Sequence, residues 1–346
     1  MRRKRSLKQQ DLHLKSFYTS LPAVRRFLAN VPTYMIFDDH DVTDDWNLSA
    51  NWKRKVWNAP LGRQVVAIGL TAYWLVQGWG NVPSSFSPEF KEVIQAYVSS
   101  PFLSRSLQQK LGTMMWHETS WHFITPTYPS TLFIDTRTKR AYQEPAKKAL
   151  SPSLVSEAEW SHLEHSLFST GWKKQDPLLL VSPTPLYGIG LVESFLNKMV
   201  RLLYSLGLPI QAAVDYEMWK YNGCRFSLFL EKLVQWQPQS CLILSGDVHT
   251  SSVVRATIFW HTGWKIKIHQ FTSSPLRNRS FSGIKGYLFK QFLRLNIWKR
   301  RRKVIQRICT RTFAIKKTTQ LHQPYGGKKL STDKTQIIIY FLPKIA

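Results

Sequence analysis

Ser240-Cys241-Leu242-Ile243-Leu244-Ser245-Gly246-Asp247-Val248-His249 is an apolar run that stops in a turn carrying a carboxylate and an imidazole. Its length suits a strand, and its unbroken apolar character suits a strand covered by other layers. A buried strand that ends in this way brings hard metal ligands to the rim of an α/β sheet. The short Asp-x-His spacing lets Asp247 and His249 reach one site from one turn.

Working outward, three more apolar runs end in polar turns. Tyr34-Met35-Ile36-Phe37 leads into Asp38-Asp39-His40-Asp41, a second acidic-histidine cluster. Thr131-Leu132-Phe133-Ile134 leads into Asp135-Thr136-Arg137, and Leu178-Leu179-Leu180-Val181 into Ser182-Pro183-Thr184-Pro185. Helical spacing lies between them, over residues 10–31, Trp52 to Gly78 with a break at Pro60, Glu89 to Ser99, Leu154 to Phe168 and Phe226 to Trp236. Continuous apolar strands alternating with helices predict buried, largely parallel strands in an α/β architecture. Val253 to Phe259 and Trp264 to Phe271 alternate as a hairpin does, and Gln336 to Leu342 reads as a short strand.

With 346 residues the chain is long enough for one large α/β domain or two smaller ones. Its net charge of +27 favours anionic partners: phosphate-bearing substrates, nucleic acid or an anionic membrane surface. Three scattered cysteines exclude a disulfide framework and a Cys-x-x-Cys zinc site, and Cys241 reads as a small core residue. No apolar segment follows the basic start Met1 to Arg5, and Val65 to Val76 is too short to span a bilayer, so the expected location is cytoplasmic. There is no G-x-S-x-G elbow and no phosphate-binding G-x-x-x-x-G-K loop.

Carboxylates with imidazoles suit Mn, Fe, Zn or Ca, and metal ions of this kind make water nucleophilic and clamp phosphoryl oxygens. A histidine next to a metal-binding aspartate, as in Asp39-His40, also serves as an acid or a phosphate partner. Phe37 to Asn47 and Leu244 to His249, taken in order, resemble the PhoD-like branch of the metallophosphoesterases. Phe133 to Thr138, Asp215 to Trp219 and Phe271 to Leu276 are similar to segments of the same branch, so the resemblance covers about residues 20 to 278.

The resemblance implies a four-layer α/β sandwich with a binuclear metal site at the strand ends, acting on phosphate esters. It assigns Asp39, Asp247 and His249 as metal ligands, with Asp38 beside them, and His40 as the catalytic imidazole. It also implies what is absent. The family opens with a strand ending in a metal ligand and then Gly-Asp-x-x-Tyr, whereas the only Gly-Asp pair here is Gly246-Asp247. Residues 1–278 therefore read as a metallophosphoesterase domain lacking its N-terminal portion, which a complementary chain would supply. A non-catalytic remnant of the fold is the competing reading.

Other features have plainer readings beside sharper ones. Arg137 would clamp phosphate, or else close a structural ion pair with Asp135, which Arg140 could also do. His162 and His165 sit on a polar helix and read as a solvated face; His117 and His122, beside Trp116 and Trp121, read as half-buried packing. Residues 279–346 form a basic extension whose stretch 284–308 has the spacing of an amphipathic helix. Such a helix would dock on the domain, neutralise nucleic-acid phosphates or adsorb to anionic lipid.

Overall fold

The computed structural model describes residues 2–43, 45–102, 104–142, 152–188, 219, 223–247, 251–259, 264–273, 303–308, 311–316 and 336–341. The chain divides into two compact units, Met1–Met35 and Ile36–Ala346. The first contains helix α1, Arg2–Asn30, which carries Pro22 in its interior and an Asp11–Lys15 ion pair of 2.8 Å. Leu12, Leu14, Phe17 and Phe27 of this helix are exposed.

The second unit begins with a helical layer. Helix α2, Ala50–Asn58, starts where Ser49 Oγ accepts the Trp52 N–H, and α3, Pro60–Tyr73, has Pro60 in its first turn. The break expected at Pro60 is therefore a helix start, and α3 runs on through a π-helical turn, Trp74–Gly78. Helix α4, Pro88–Ser99, is capped by Ser87, and α5, Arg105–Thr113, by Ser104. Together these helices bury Val66, Leu70, Tyr73, Trp74, Val93, Ile94, Leu111 and Met115 around Phe37 and Trp46.

Among the described residues the sheet has nine strands in the order β1-β2-β3-β4-β6-β5-β9-β8-β7. They are β1 Phe123–Thr125, β2 Thr131–Phe133, β3 Leu178–Ser182, β4 Cys241–Ser245, β5 Ser252–Phe259, β6 Lys265–Thr272, β7 Lys303–Ile308, β8 Arg311–Lys316 and β9 Gln336–Phe341. Strands β2, β3, β4 and β6 are mutually parallel, and β1 and β5 flank them antiparallel, so the architecture is α/β with a mixed sheet. Helices α6, Glu157–Ser169, and α7, Gly223–Trp236, cover one face. There Leu178, Leu180, Cys241, Ile243 and Ile268 pack against Trp160, Leu163, Phe229 and Leu233. On the other face Leu179, Val181 and Leu242 are half-buried, and Leu244 and Phe271 are exposed at 38% and 45%.

Two expectations are corrected. Tyr34 to Phe37 belongs to no strand. Phe37 is instead buried by rings, with Tyr73 at 4.8 Å, Trp46 at 5.4 Å and Trp121 at 6.0 Å between centroids. Aromatic packing in the helical layer thus replaces a ladder as the anchor of the first cluster. Residues 303–308, expected as the end of a basic helix, form β7, paired antiparallel with β8. Val304, Ile305 and Ile308 lie within six residues, and β-branched side chains favour a strand over a helix. Residues 279–302 of the same extension lie outside the described residues.

Candidate metal centre

The centre lies where β2 and β4 end and where the loop before α2 meets them. After β2 the chain turns sharply around Asp135, which is fully buried. Its Oδ1 accepts the backbone N–H groups of Arg137 (2.8 Å) and Thr138 (2.9 Å), and its Oδ2 accepts the Thr138 hydroxyl. A carboxylate folding back on the amides two and three residues ahead is an Asx turn, and it aims the intervening side chains. The Asp135 N–H donates to His122 Nδ1 at 2.9 Å, which ties the turn to the segment leading into β1.

Arg137 is the residue so aimed, and it is fully buried. Its Nη2 donates to Asp39 Oδ1 at 2.9 Å and to Asp247 Oδ2 at 3.1 Å. Of the two sequence readings for Arg137, the ion pair with Asp135 is replaced by one that joins both acidic clusters. Asp135 does hold Arg137, but through its backbone.

The first cluster is shaped by its own carboxylates. The His40 N–H donates to Asp38 Oδ1 at 2.8 Å, the Asp38 N–H to Asp41 Oδ2 at 3.0 Å, and the Asp45 N–H to Asp39 Oδ2 at 3.1 Å. Asp39 is buried at 5% exposure, Asp38 is half-buried, and His40 is exposed. Burial pushes the Asp38 carboxyl above its usual range; Arg137 opposes this, Asp39 and Asp41 add to it, and His40 opposes it.

The loop is then fastened to the turn after β2. Asn47 Nδ2 donates to the Arg137 carbonyl (2.9 Å), while Arg140 Nη1 (3.1 Å) and Tyr142 Oη (2.8 Å) donate to the Asn47 carbonyl. Asn47 adopts the left-handed conformation with φ 59°, as does Asp45 at 61°; both residue types tolerate it. From the far side, α3 touches the loop at Gly69, where an added Cβ would lie 3.1 Å from both Val42 methyls. Neither Asn47 nor Arg140 was singled out as an anchor from sequence. The only local hint was Asn47 inside a polar stretch, because its partners lie some ninety residues away.

Asp247 enters from the end of β4. The Gly246 N–H donates to the Pro183 carbonyl at 3.0 Å, and Asp247 itself is left-handed at φ 64°. The loop after β3 is secured by Gln270, which is fully buried. Its amide accepts the Tyr187 N–H (2.8 Å) and donates to the Tyr187 carbonyl (2.6 Å) and Thr272 Oγ1 (2.9 Å).

Asp39, His40 and Asp247 thereby each offer a ligand atom within 4.8 Å of the others, a grouping able to hold a metal ion. Two carboxylates and one imidazole fit a single Mn, Fe or Zn ion by donor chemistry. Asp39 already engages both of its oxygens, and the guanidinium offsets one of the two carboxylate charges, so an ion here shares its ligands with Arg137. Of the residues picked out in the sequence, Asp38, Asp39, His40, Arg137 and Asp247 converge; His249 lies outside the described residues. His162 and His165 are exposed as expected, and Cys241 is buried in the core, where burial pushes its thiol up.

No described helix is long and apolar enough to cross a membrane. Comparison with protein-family models, with curated proteins and with solved structures finds no match to this chain.

Proposed function

We propose that the chain is a metal-dependent phosphoesterase of PhoD-like type, with the described sheet and helices as part of a four-layer sandwich. The observation that carries this reading is the meeting of Asp39, His40 and Asp247, drawn from two distant segments, within 4.8 Å at the carboxyl ends of parallel strands. That rim is where open α/β sheets bind ligands.

Asp39 and Asp247 would hold an ion of Mn, Fe, Zn or Ca, with His249 completing the set and His40 beside them. Such an ion acidifies water and polarises a phosphoryl oxygen. The chain's own part is charge and orientation. Arg137, whose guanidinium is permanently charged and fully buried, holds Asp39 and Asp247 together through Nη2 and would lend positive charge to the site from behind them. His40, exposed at the rim, is placed to pass a proton to the departing oxygen.

Metal analysis and turnover test the reading together. Loaded with Mn, Fe, Zn or Ca and then desalted, the chain is expected to retain a stoichiometric ion that Asp39→Asn and Asp247→Asn both lose. Hydrolysis of an aryl or bis-aryl phosphate should stop with chelator and return with metal. A chain that retains no ion and hydrolyses neither ester would sink the enzyme reading.

A second reading has its own support. The bridge from Arg137 to both carboxylates already supplies a cation between them. In that reading the chain is a non-catalytic relative, and the same metal analysis comes out blank.

A further inference from the structure

Beside the centre lies a group of cations from three different elements. Lys53 is on α2, His117 in the π-helical turn Met114–Glu118 after α5, and Lys139 two residues beyond Arg137. Lys139 Nζ donates to the His117 carbonyl at 2.9 Å. The His117 ring stands 4.5 Å from that of Trp57, which lies one helical turn after Lys53 on α2. Lys53 Nζ sits 6.0 Å over the Tyr142 ring, and Arg63 Cζ 5.3 Å over Trp57.

These cations press on one another. Burial holds the Lys53 ammonium below its usual range, Lys139 adds to this, and Asp135 opposes it. Burial likewise lowers His117, with Lys53 and then Lys139 adding and Glu118 opposing. Among the described residues, the carboxylate contact of Lys139 is long, Glu159 Oε1 at 3.8 Å. Holding like charges together costs stability unless an anion is drawn to them.

The group is also wired to the centre. Tyr142, under Lys53, donates to the Asn47 carbonyl, and Asn47 donates to that of Arg137. A single residue, Thr138, separates Lys139 from Arg137, which keeps their Cα atoms within roughly 7 Å.

We infer that Lys53, His117 and Lys139 form a second phosphate-binding subsite beside the Asp39–Asp247 centre, so that the preferred ligand carries two phosphate groups a short distance apart. This rests on reading the centre as a phosphoester site. Lys53 and Lys139 act as ammonium donors to phosphate oxygens, and His117 joins them when protonated. A lone phosphate satisfies one subsite; a polyphosphorylated ligand satisfies both at once.

Calorimetric titration of the full chain in chelator, with no metal present, tests this apart from catalysis. Tripolyphosphate is expected to bind at least tenfold tighter than inorganic phosphate. Lys53→Met should weaken tripolyphosphate about tenfold, as loss of one charge-assisted contact does. Lys53→Arg should keep the affinity, and Lys55→Met, on the exposed part of the same helix, should leave it unchanged. Circular dichroism checks that each variant is folded, and Lys53→Gln stands in should Lys53→Met not fold.

Equal affinity for phosphate and tripolyphosphate would overturn the inference. So would equal loss in the Lys53 and Lys55 variants, which assigns binding to overall charge. Phosphatidylcholine vesicles with and without phosphatidylinositol bisphosphate form the second arm. Lys53-dependent retention on the charged vesicles assigns the same chemistry to a lipid headgroup, and its absence beside tight tripolyphosphate binding assigns it to a soluble ligand. Because none of these readouts needs turnover, a failed metal assay and a failed titration remain separate results.

Discussion

Arg137 concentrates the physics of the centre in one side chain. A guanidinium cannot shed its proton, so burying it fully requires carboxylates at hydrogen-bond distance, and Asp39 and Asp247 supply them. Replacing it by Met, of similar reach and no charge, leaves two carboxylates facing each other without a counter-ion. Arg137→Met is expected to cost roughly 3–5 kcal/mol in urea unfolding, the usual penalty for breaking a buried pair. A divalent ion should then restore more stability to Arg137→Met than it adds to the parent chain, since the carboxylates lose their built-in competitor. Equal metal effects on the two would show that guanidinium and ion do not compete. Asn47 makes a smaller case. Its left-handed backbone and its hydrogen bond to Arg137 are both lost to Ala, for about 2 kcal/mol in the same measurement.

At the level of elements, the centre depends on a loop pressed between α3 and the turn after β2. Gly69 lets α3 approach Val42, and a Leu there has no room without moving the loop. Gly69→Leu touches no ligand, yet is expected to weaken metal retention severalfold while the far-ultraviolet spectrum stays helical. Unchanged retention would mean that the loop is not positioned from this side. Much of this layer was legible beforehand. The break at Pro60, the helical spacing of Glu89 to Ser99 and the alternating pattern of β5 and β6 are local signals, whereas α5 was not among the expected helices. Tyr34 to Phe37 was misread because a short apolar run looks the same whether a ladder or a ring cluster buries it. At 303–308 the expected helix fails because the helical spacing of Leu288, Phe292, Leu295 and Trp298 does not continue into this β-branched stretch.

For the molecule as a whole, the excess of positive charge governs its response to solution conditions. His117 illustrates the direction. Burial holds it below its ordinary range, Lys53 on α2 and Lys139 in the turn after Arg137 add to this, Glu118 opposes it, and so the folded state resists protonation. Between that depressed value and the ordinary value of 6.5, the unfolded chain holds the extra proton. Stability should therefore fall as pH drops below 6.5, and His117→Gln should flatten that part of a melting-temperature profile. At fixed ionic strength, polyvalent phosphate should raise the melting temperature more than chloride does, because a bound anion favours the folded state by mass action.

Read alone, the sequence was enough for an α/β chain with strands ending in chemistry-bearing turns, and it singled out Asp39, His40, Arg137 and Asp247 by residue type and place. These signals are local: periodicity, proline breaks, and polar residues stopping apolar runs. Which of those turns meet was beyond it. Parallel pairing of β2, β3 and β4 sets Asp135 and Asp247 on one rim, and Asn47, Arg140 and Gly69 bring the first cluster to that rim. That a guanidinium joins the two acidic clusters, rather than its neighbour Asp135, followed from where burial put it. A charge removed from water takes the partners that the fold places within reach, and sequence distance plays no part in that choice.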